Sequence, residues 1–279
     1  MFNSNDNFFS SGYFGELKPN TEDNSLYYEK QLGIGLDNSV TYKYNNVGFR
    51  CDDFVKDHNG LHILFGGCSE TEGASNRLED TWAYVLYDKI KKDIPVSGYY
   101  NVGKTGLTTP LAILNIFQYI NDYGIPDYIF LQLPDHGRYM SWSEKKNIHP
   151  VYKNKKEFQP GTDELADFFA NNSEMSQLNI NIFFSNFLLR TLVQLCKINS
   201  IKIFWSTWHP DSHPIDSLDE EYKLSYVSTS PSGKDHWGIK IEDLLARDGY
   251  HFGKGFHKIW AEKFYKEFLN DQNNKKNIN

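Results

Sequence analysis

From Leu61 to Ser206 short apolar runs alternate with longer stretches in which apolar residues recur at helical spacing, and few folds accept that order. Leu61–Phe65, Val96–Val102, Asp127–Leu133 and Ile201–Ser206 have the length and side-chain types of strands. Asn76–Lys92, Pro110–Tyr123, the stretch from Asp163 and Asn181–Asn199 read as helices. This alternation predicts an α/β fold: a three-layer α/β/α doubly wound, mainly parallel sheet, flavodoxin-like in outline. Right-handed crossovers then bring the carboxyl ends of the strands to one edge. Ser69, Gly106, Asp135 and the loop after Ser206 are expected on that edge.

The first strand runs into Gly66-Gly67-Cys68-Ser69. A small hydroxyl at a strand-to-helix junction lies close to backbone N–H groups that the helix does not yet use, and those groups stabilise negative charge. Ser69 is therefore a candidate nucleophile, although serine is also favoured at turns and caps for purely local reasons. Near the other end, Asp248-Gly-Tyr-His251 sets an acid and a histidine three apart in a Gly-rich loop. A serine needs such a base and its orienting carboxylate to become nucleophilic at neutral pH.

Together these two blocks resemble the SGNH (GDSL-like) hydrolase family, with Gly67-Cys68-Ser69 matching the Gly-x-Ser block and Asp248 to His251 matching Asp-x-x-His. Tyr100-Asn-Val-Gly-Lys-Thr-Gly106-Leu-Thr-Thr109 is similar to the family's second block. The resemblance implies catalytic Ser69, His251 and Asp248, with an oxyanion hole built from the N–H groups of Ser69 and Gly106 and help near Asp135. Two departures stand out. Cys68 occupies a place where the family often has Asp, and the third block reads Leu-Pro-Asp135-His-Gly-Arg138 where the family has Gly-x-Asn-Asp. An ionised Asp135 cannot donate to an oxyanion, so the donor is Gln132, His136 or Arg138, or the hole works with two backbone N–H groups.

With 279 residues and 39% hydrophobic content the chain can bury one sizeable core. The expected organisation is an arm or hairpin over residues 1–60 packed on the core, a hydrolase-like domain over 61–270 and a disordered tail over 271–279. Val40–Tyr44 alternates like a strand, and Asn46–Arg50 is similar to a segment that precedes the nucleophile strand in SGNH-like proteins of phage and capsule clusters. Tyr13, Phe14, Tyr27 and Tyr28 read as core filling before a sugar-binding face. A formal net charge of -7 argues against a sequence-independent nucleic-acid binder, and Lys153–Lys156 reads as solvated loop. The three cysteines have no metal spacing and no disulfide framework. His209, Asp211, His213 and Asp216 lie in a loop with two prolines, which has no helix to impose the fixed geometry of a metal site, so no metal and no other cofactor is expected. Trp208 and His209 are read as substrate contacts instead, with Gln132, His136 and Arg138. His257, on the last helix, is expected to pack or cap.

Nothing in Met1–Asp6 has the basic and apolar segments of a Sec-type signal, and no apolar run is long enough to span a bilayer. The expected location is cytoplasmic, or a virion or host cell for a phage protein. The polar 140–160 excursion and the aromatic loops fit a small-acyl ester, such as an acetate, on a carbohydrate better than a lipid, making an acylated glycan the expected partner. Two rivals use the same chain: an acyltransferase with the same residues, and a non-catalytic module that binds glycan or protein.

Overall fold

The computed structural model describes residues 15–17, 42–134, 138–142, 148–152, 174–207, 226–228, 239–240, 243–246 and 251–278. In chain order the elements are β1 (Gly15–Leu17), β2 (Tyr42–Tyr44), β3 (Ile63–Gly67), α1 (Ser69–Glu72), α2 (Trp82–Asp93), β4 (Tyr100–Asn101), α3 (Thr109–Tyr123), β5 (Tyr128–Leu133), β6 (Arg138–Trp142), β7 (Ile148–Tyr152), α4 (Glu174–Ile198), β8 (Lys202–Thr207) and α5 (Lys254–Ile278). Four strands form a parallel sheet in the order β4-β3-β5-β8. Helices α2 and α5 pack together on one side, and α3 and α4 on the other. The fold is thus the three-layer, mainly parallel α/β arrangement that the alternation predicts.

Both faces of the central strands are apolar because both are covered. Ile129, Leu131 and Leu133 of β5 join the core under α3 and α4 with Leu64, Ile203 and Trp205. Tyr128 and Phe130 join the core under α2 and α5 with Phe65, Phe204, Trp82, Trp260 and Phe264. On that second face an aromatic row crosses three strands: ring centroids are 5.7 Å apart for Phe65 and Phe130 and 5.6 Å apart for Phe130 and Phe204. Offset aromatic contacts at these distances add to the burial of large apolar rings.

Local chemistry sets the helix ends. Thr108 caps α3 by accepting a hydrogen bond from Leu111 N–H at 3.4 Å, with Pro110 in the first turn. The helix expected over Asn76–Lys92 starts late instead, and separate turns precede it. A single turn, α1, begins at Ser69 and ends at Gly73, whose φ of 78° is left-handed, as helix C-termini often require. A 3-10 turn follows over Leu78–Asp80, and α2 starts only at Trp82. The strand expected over Val96–Val102 narrows to Tyr100–Asn101, with an isolated bridge from Leu61 to Val96.

Two further expectations are corrected. Part of the 140–160 excursion is an antiparallel ribbon, β6 paired with β7 from Arg138↔Tyr152 to Trp142↔Ile148. Residues 271–278, expected as a disordered tail, continue α5. Asp271 holds that end to the sheet by accepting from Tyr128 Oη at 2.6 Å and pairing with Lys202 Nζ at 3.1 Å. The strand expected at Val40–Tyr44 is β2, antiparallel to β1. Tyr13, Phe14, Tyr27, Tyr28, the helix from Asp163 and Lys153–Lys156 lie outside the described residues.

Phe130 is fully buried at the centre of the aromatic row. Phe130→Ala is expected to destabilise the domain by about 3–5 kcal/mol, read as a lower urea midpoint at unchanged far-ultraviolet circular dichroism.

Candidate active site

β3 ends at Gly67 and α1 begins at Ser69, so the serine is the first residue of a helical turn at the carboxyl edge of the sheet. Gly67 has a φ of 152°, and a Cβ there would meet Thr71 Oγ1 at 2.0 Å and the Gln132 carbonyl oxygen at 2.5 Å. Only glycine lets the chain turn this tightly against β5. Ser69 is 2% exposed, and its hydroxyl approaches Cys68 Sγ at 3.9 Å. No other partner of that hydroxyl is found among the described residues. The first N–H groups of α1 lack intrahelical acceptors, as at any helix start.

The loop after β4 is fastened to this turn. Lys104 N–H donates to the Gly67 carbonyl at 3.4 Å, Asn101 Nδ2 donates to the Thr71 carbonyl at 2.8 Å, and Asn101 Oδ1 accepts from Gly103 N–H at 2.8 Å. Gly106 lies at a φ of 84°, a left-handed conformation that suits glycine. Ser69 and Gly106 are therefore carried by two neighbouring loops.

The histidine block approaches from the other side. Its backbone folds back on itself: Ala246 N–H donates to the His251 carbonyl at 2.8 Å and Gly253 N–H to the Leu244 carbonyl at 2.9 Å. Phe252 N–H reaches Glu70 Oε1 at 3.5 Å, and Asn76 Nδ2 donates to the Phe252 carbonyl at 2.9 Å. His251, half-buried, thus lies one residue from a contact with Glu70, the residue that follows Ser69. Asp248 lies outside the described residues, as do Asp135, His136, Trp208 and His209. Arg138 begins β6 and pairs with Tyr152.

Gln132 pairs in register with Gly67 and Ser206, at the same edge as Ser69. It is 1% exposed, and among the described residues neither its Nε2 nor its Oε1 has a hydrogen-bond partner. A buried amide without partners is costly to keep, which sets Gln132 apart from the rest of the strand.

Around the serine turn is a set of buried charges that sequence reasoning missed. Arg50 sits at the far end of α1, its Nη1 donating to the Gly73 carbonyl at 2.7 Å and its Nη2 to the Asn76 carbonyl at 3.0 Å. A cation there complements the negative end of the turn, and Tyr42 stacks over the guanidinium at 4.2 Å. Glu72 pairs with Lys104 at 2.9 Å, both side chains being 2% exposed. Burial works to raise the Glu72 carboxyl, but Lys104 and hydrogen bonds from Thr105 outweigh it and hold the group below its ordinary range. Glu70 and Glu72, one and three residues after Ser69, were the available signal. Their burial was not readable, because acidic residues in a first helical turn are ordinarily solvated.

His257 caps rather than catalyses. Its Nδ1 accepts from Trp82 N–H, an orphan donor of α2, at 3.1 Å. The proton is therefore on Nε2, which lies 3.2 Å from Asn76 Nδ2 and 3.6 Å from Glu70 Oε2. Burial, with the nearby His251 and Arg50 charges, pushes His257 down to about 3 from an ordinary value of 6.5. The ring is thus neutral, and the approach to Glu70 is not an ion pair.

No protein-family profile matches the chain, and no curated protein matches it either. Solved structures do. The psychrotrophic esterase EstA from Pseudoalteromonas sp. is 15% identical, with a TM-score of 0.43 over 75% of this chain and 98% of that one. A member of the lipolytic protein G-D-S-L family from Veillonella parvula is 13% identical, with a TM-score of 0.41 over 75% and 98%. A GDSL-like lipase from Bacteroides thetaiotaomicron is 14% identical, with a TM-score of 0.35 over 75% and 88%. The first is described as an esterase, and the other two as lipolytic proteins of G-D-S-L type. At such identities and scores the function has to be argued from the residues. Among the described residues no helix is long and apolar enough to cross a membrane.

A neutral His257 carries a pH signature. The unfolded chain takes up this proton near pH 6.5 and the folded chain only near 3, so its contribution to stability is full above 6.5 and is lost as pH falls towards 3. His257→Gln is expected to flatten the fall of urea-unfolding free energy across that window, by up to about one proton's worth of slope. Parallel pH curves for the two proteins would show that His257 titrates normally in the fold.

Proposed function

We propose that this protein is a serine ester hydrolase of SGNH type that cleaves a small acyl ester, such as an acetate, from a carbohydrate. One observation carries the reading: Ser69 opens a helical turn at the carboxyl edge of a parallel sheet, hydrogen bonds fasten the loop of Gly106 to that turn, and the backbone beside His251 contacts its next residue. In this mechanism His251 takes the Ser69 proton, Asp248 holds the imidazole in the required tautomer, and Ser69 Oγ attacks the ester carbonyl. Backbone N–H groups of Ser69 and Gly106 receive the oxyanion. Collapse expels the alcohol, protonated by His251, and water activated by the same base releases the acid.

Gln132 supports a third donor. Its amide is buried beside Gly67 and has no partner among the described residues, as a group reserved for a substrate oxygen would be. It takes the place left open by the departure at Asp135, while His136, Arg138, Trp208 and His209 remain proposed substrate contacts. The sugar component rests on the polar 140–160 excursion, and a transferase would differ only in the acceptor that resolves the acyl-enzyme.

Treating the purified protein with a fluorophosphonate probe, followed by peptide mass spectrometry, is expected to place one adduct on Ser69. Ser69→Ala should take up no probe and lose more than about 1,000-fold in turnover of a small acyl ester, with His251→Ala comparably impaired. An unlabelled, well-folded parent would favour a non-catalytic glycan- or protein-binding module.

Gln132→Leu separates function from stability. It is expected to lower kcat by about 100-fold while leaving the thermal midpoint unchanged or higher, because an unpartnered amide is replaced by an apolar group of similar shape. Parental kcat in this variant would remove Gln132 from the site.

A further inference from the structure

Glu72 and Lys104 come from the two loops that carry Ser69 and Gly106. Glu72 lies three residues after Ser69 in the same helical turn, and Lys104 lies two residues before Gly106. Both carboxylate oxygens are occupied. Oε1 meets Lys104 Nζ at 2.9 Å and accepts from Tyr44 Oη at 3.1 Å, while Oε2 accepts from Thr105 N–H at 2.6 Å and from the Thr105 hydroxyl. Lys104 in turn donates to the Gly48 carbonyl at 3.0 Å and lies 3.8 Å from the centre of the Tyr44 ring. The pair thus joins three chain segments: the serine turn, the Gly106 loop, and the stretch from β2 to Gly48.

A buried ion pair is a poor source of stability, because withdrawing two charges from water costs about as much as their attraction returns; apolar replacements of similar volume are often as stable. What a fully satisfied pair does supply is fixed geometry. An oxyanion hole depends on geometry, since its donors must lie 2.7–3.1 Å from the developing charge, and a displacement of about 1 Å can cost 100-fold in rate.

We propose that Glu72 and Lys104 are positioning residues of the ester-cleaving site: the buried carboxylate clamps the Gly106 loop to the Ser69 turn and so fixes the spacing of the two backbone donors. This rests on the reading of Ser69 as nucleophile. The clamp touches no substrate, so its loss acts on kcat and leaves KM nearly unchanged.

The test uses the full chain and two variants, Glu72→Gln and the double variant Glu72→Met/Lys104→Met. Each is followed by thermal midpoint, by kcat and KM on p-nitrophenyl acetate, and by the rate of fluorophosphonate labelling at Ser69. Glu72→Gln keeps the shape and one acceptor for Thr105, and kcat is expected to fall about 10- to 100-fold with KM within about threefold. The double variant removes both charges, so its thermal midpoint is expected to return towards that of the parent while kcat and labelling stay depressed. A purely structural pair would restore rate together with stability. Parental kcat in either folded variant, beside a parent that labels at Ser69, overturns this inference alone. A parent that neither labels nor turns over overturns the esterase reading and the clamp together.

Discussion

The four parallel strands are buried on both faces, and most of the structure follows from satisfying that condition. A parallel strand cannot be joined to its neighbour by a tight turn, so each connection must cross a face, and a helix is the crossover that buries an apolar stripe while satisfying its own backbone. Helices α2 and α5 cover the aromatic face of β3, β5 and β8, and α3 and α4 cover the aliphatic one. Polar chemistry is then confined to the strand ends. Ser69, Gln132 and Ser206 lie at or next to the carboxyl ends of β3, β5 and β8, where side chains are no longer required to be apolar.

At that edge the protein tolerates an unusual density of buried charge. Arg50, Glu72 and Lys104 are each at most 2% exposed and lie within one network around the turn that begins at Ser69. The network also explains why the stretch before the first core strand is part of the domain. Tyr42, Tyr44, Gly48 and Arg50 supply ring faces, a hydroxyl, a carbonyl and a guanidinium to the serine turn and the loop after β4. Residues 42–50 are thus packed on the core as structural partners of the serine turn.

Much of the core domain was legible from local pattern. The stretch Asp127–Leu133 became Tyr128–Leu133, Pro110–Tyr123 became Thr109–Tyr123, and Ile201–Ser206 became Lys202–Thr207, because long apolar runs bounded by turn residues leave few alternatives. Short elements were misread where the tertiary environment outweighed periodicity. The segment Asn76–Lys92 looked helical throughout, yet the 3-10 turn at Leu78–Asp80 delays the start of α2 to Trp82. The polar stretch after Asn270 looked unstructured, yet Asp271 and Lys275 both reach Tyr128 at the start of β5 and hold the helix in place.

The sequence by itself determined the order of strands and helices, the glycines that permit the turn before Ser69, and the nearness of that turn to the Gly106 loop. These depend on backbone sterics and on periodicities read within a few residues. Only the tertiary structure decided which polar residues are buried and what satisfies them: Glu72 by Lys104 and Thr105, the N–H of Trp82 by His257, and the amide of Gln132 by none of the described residues. Burial is set by contacts between residues far apart in the chain, so no local pattern distinguishes an acidic residue that faces water from one that bridges two loops.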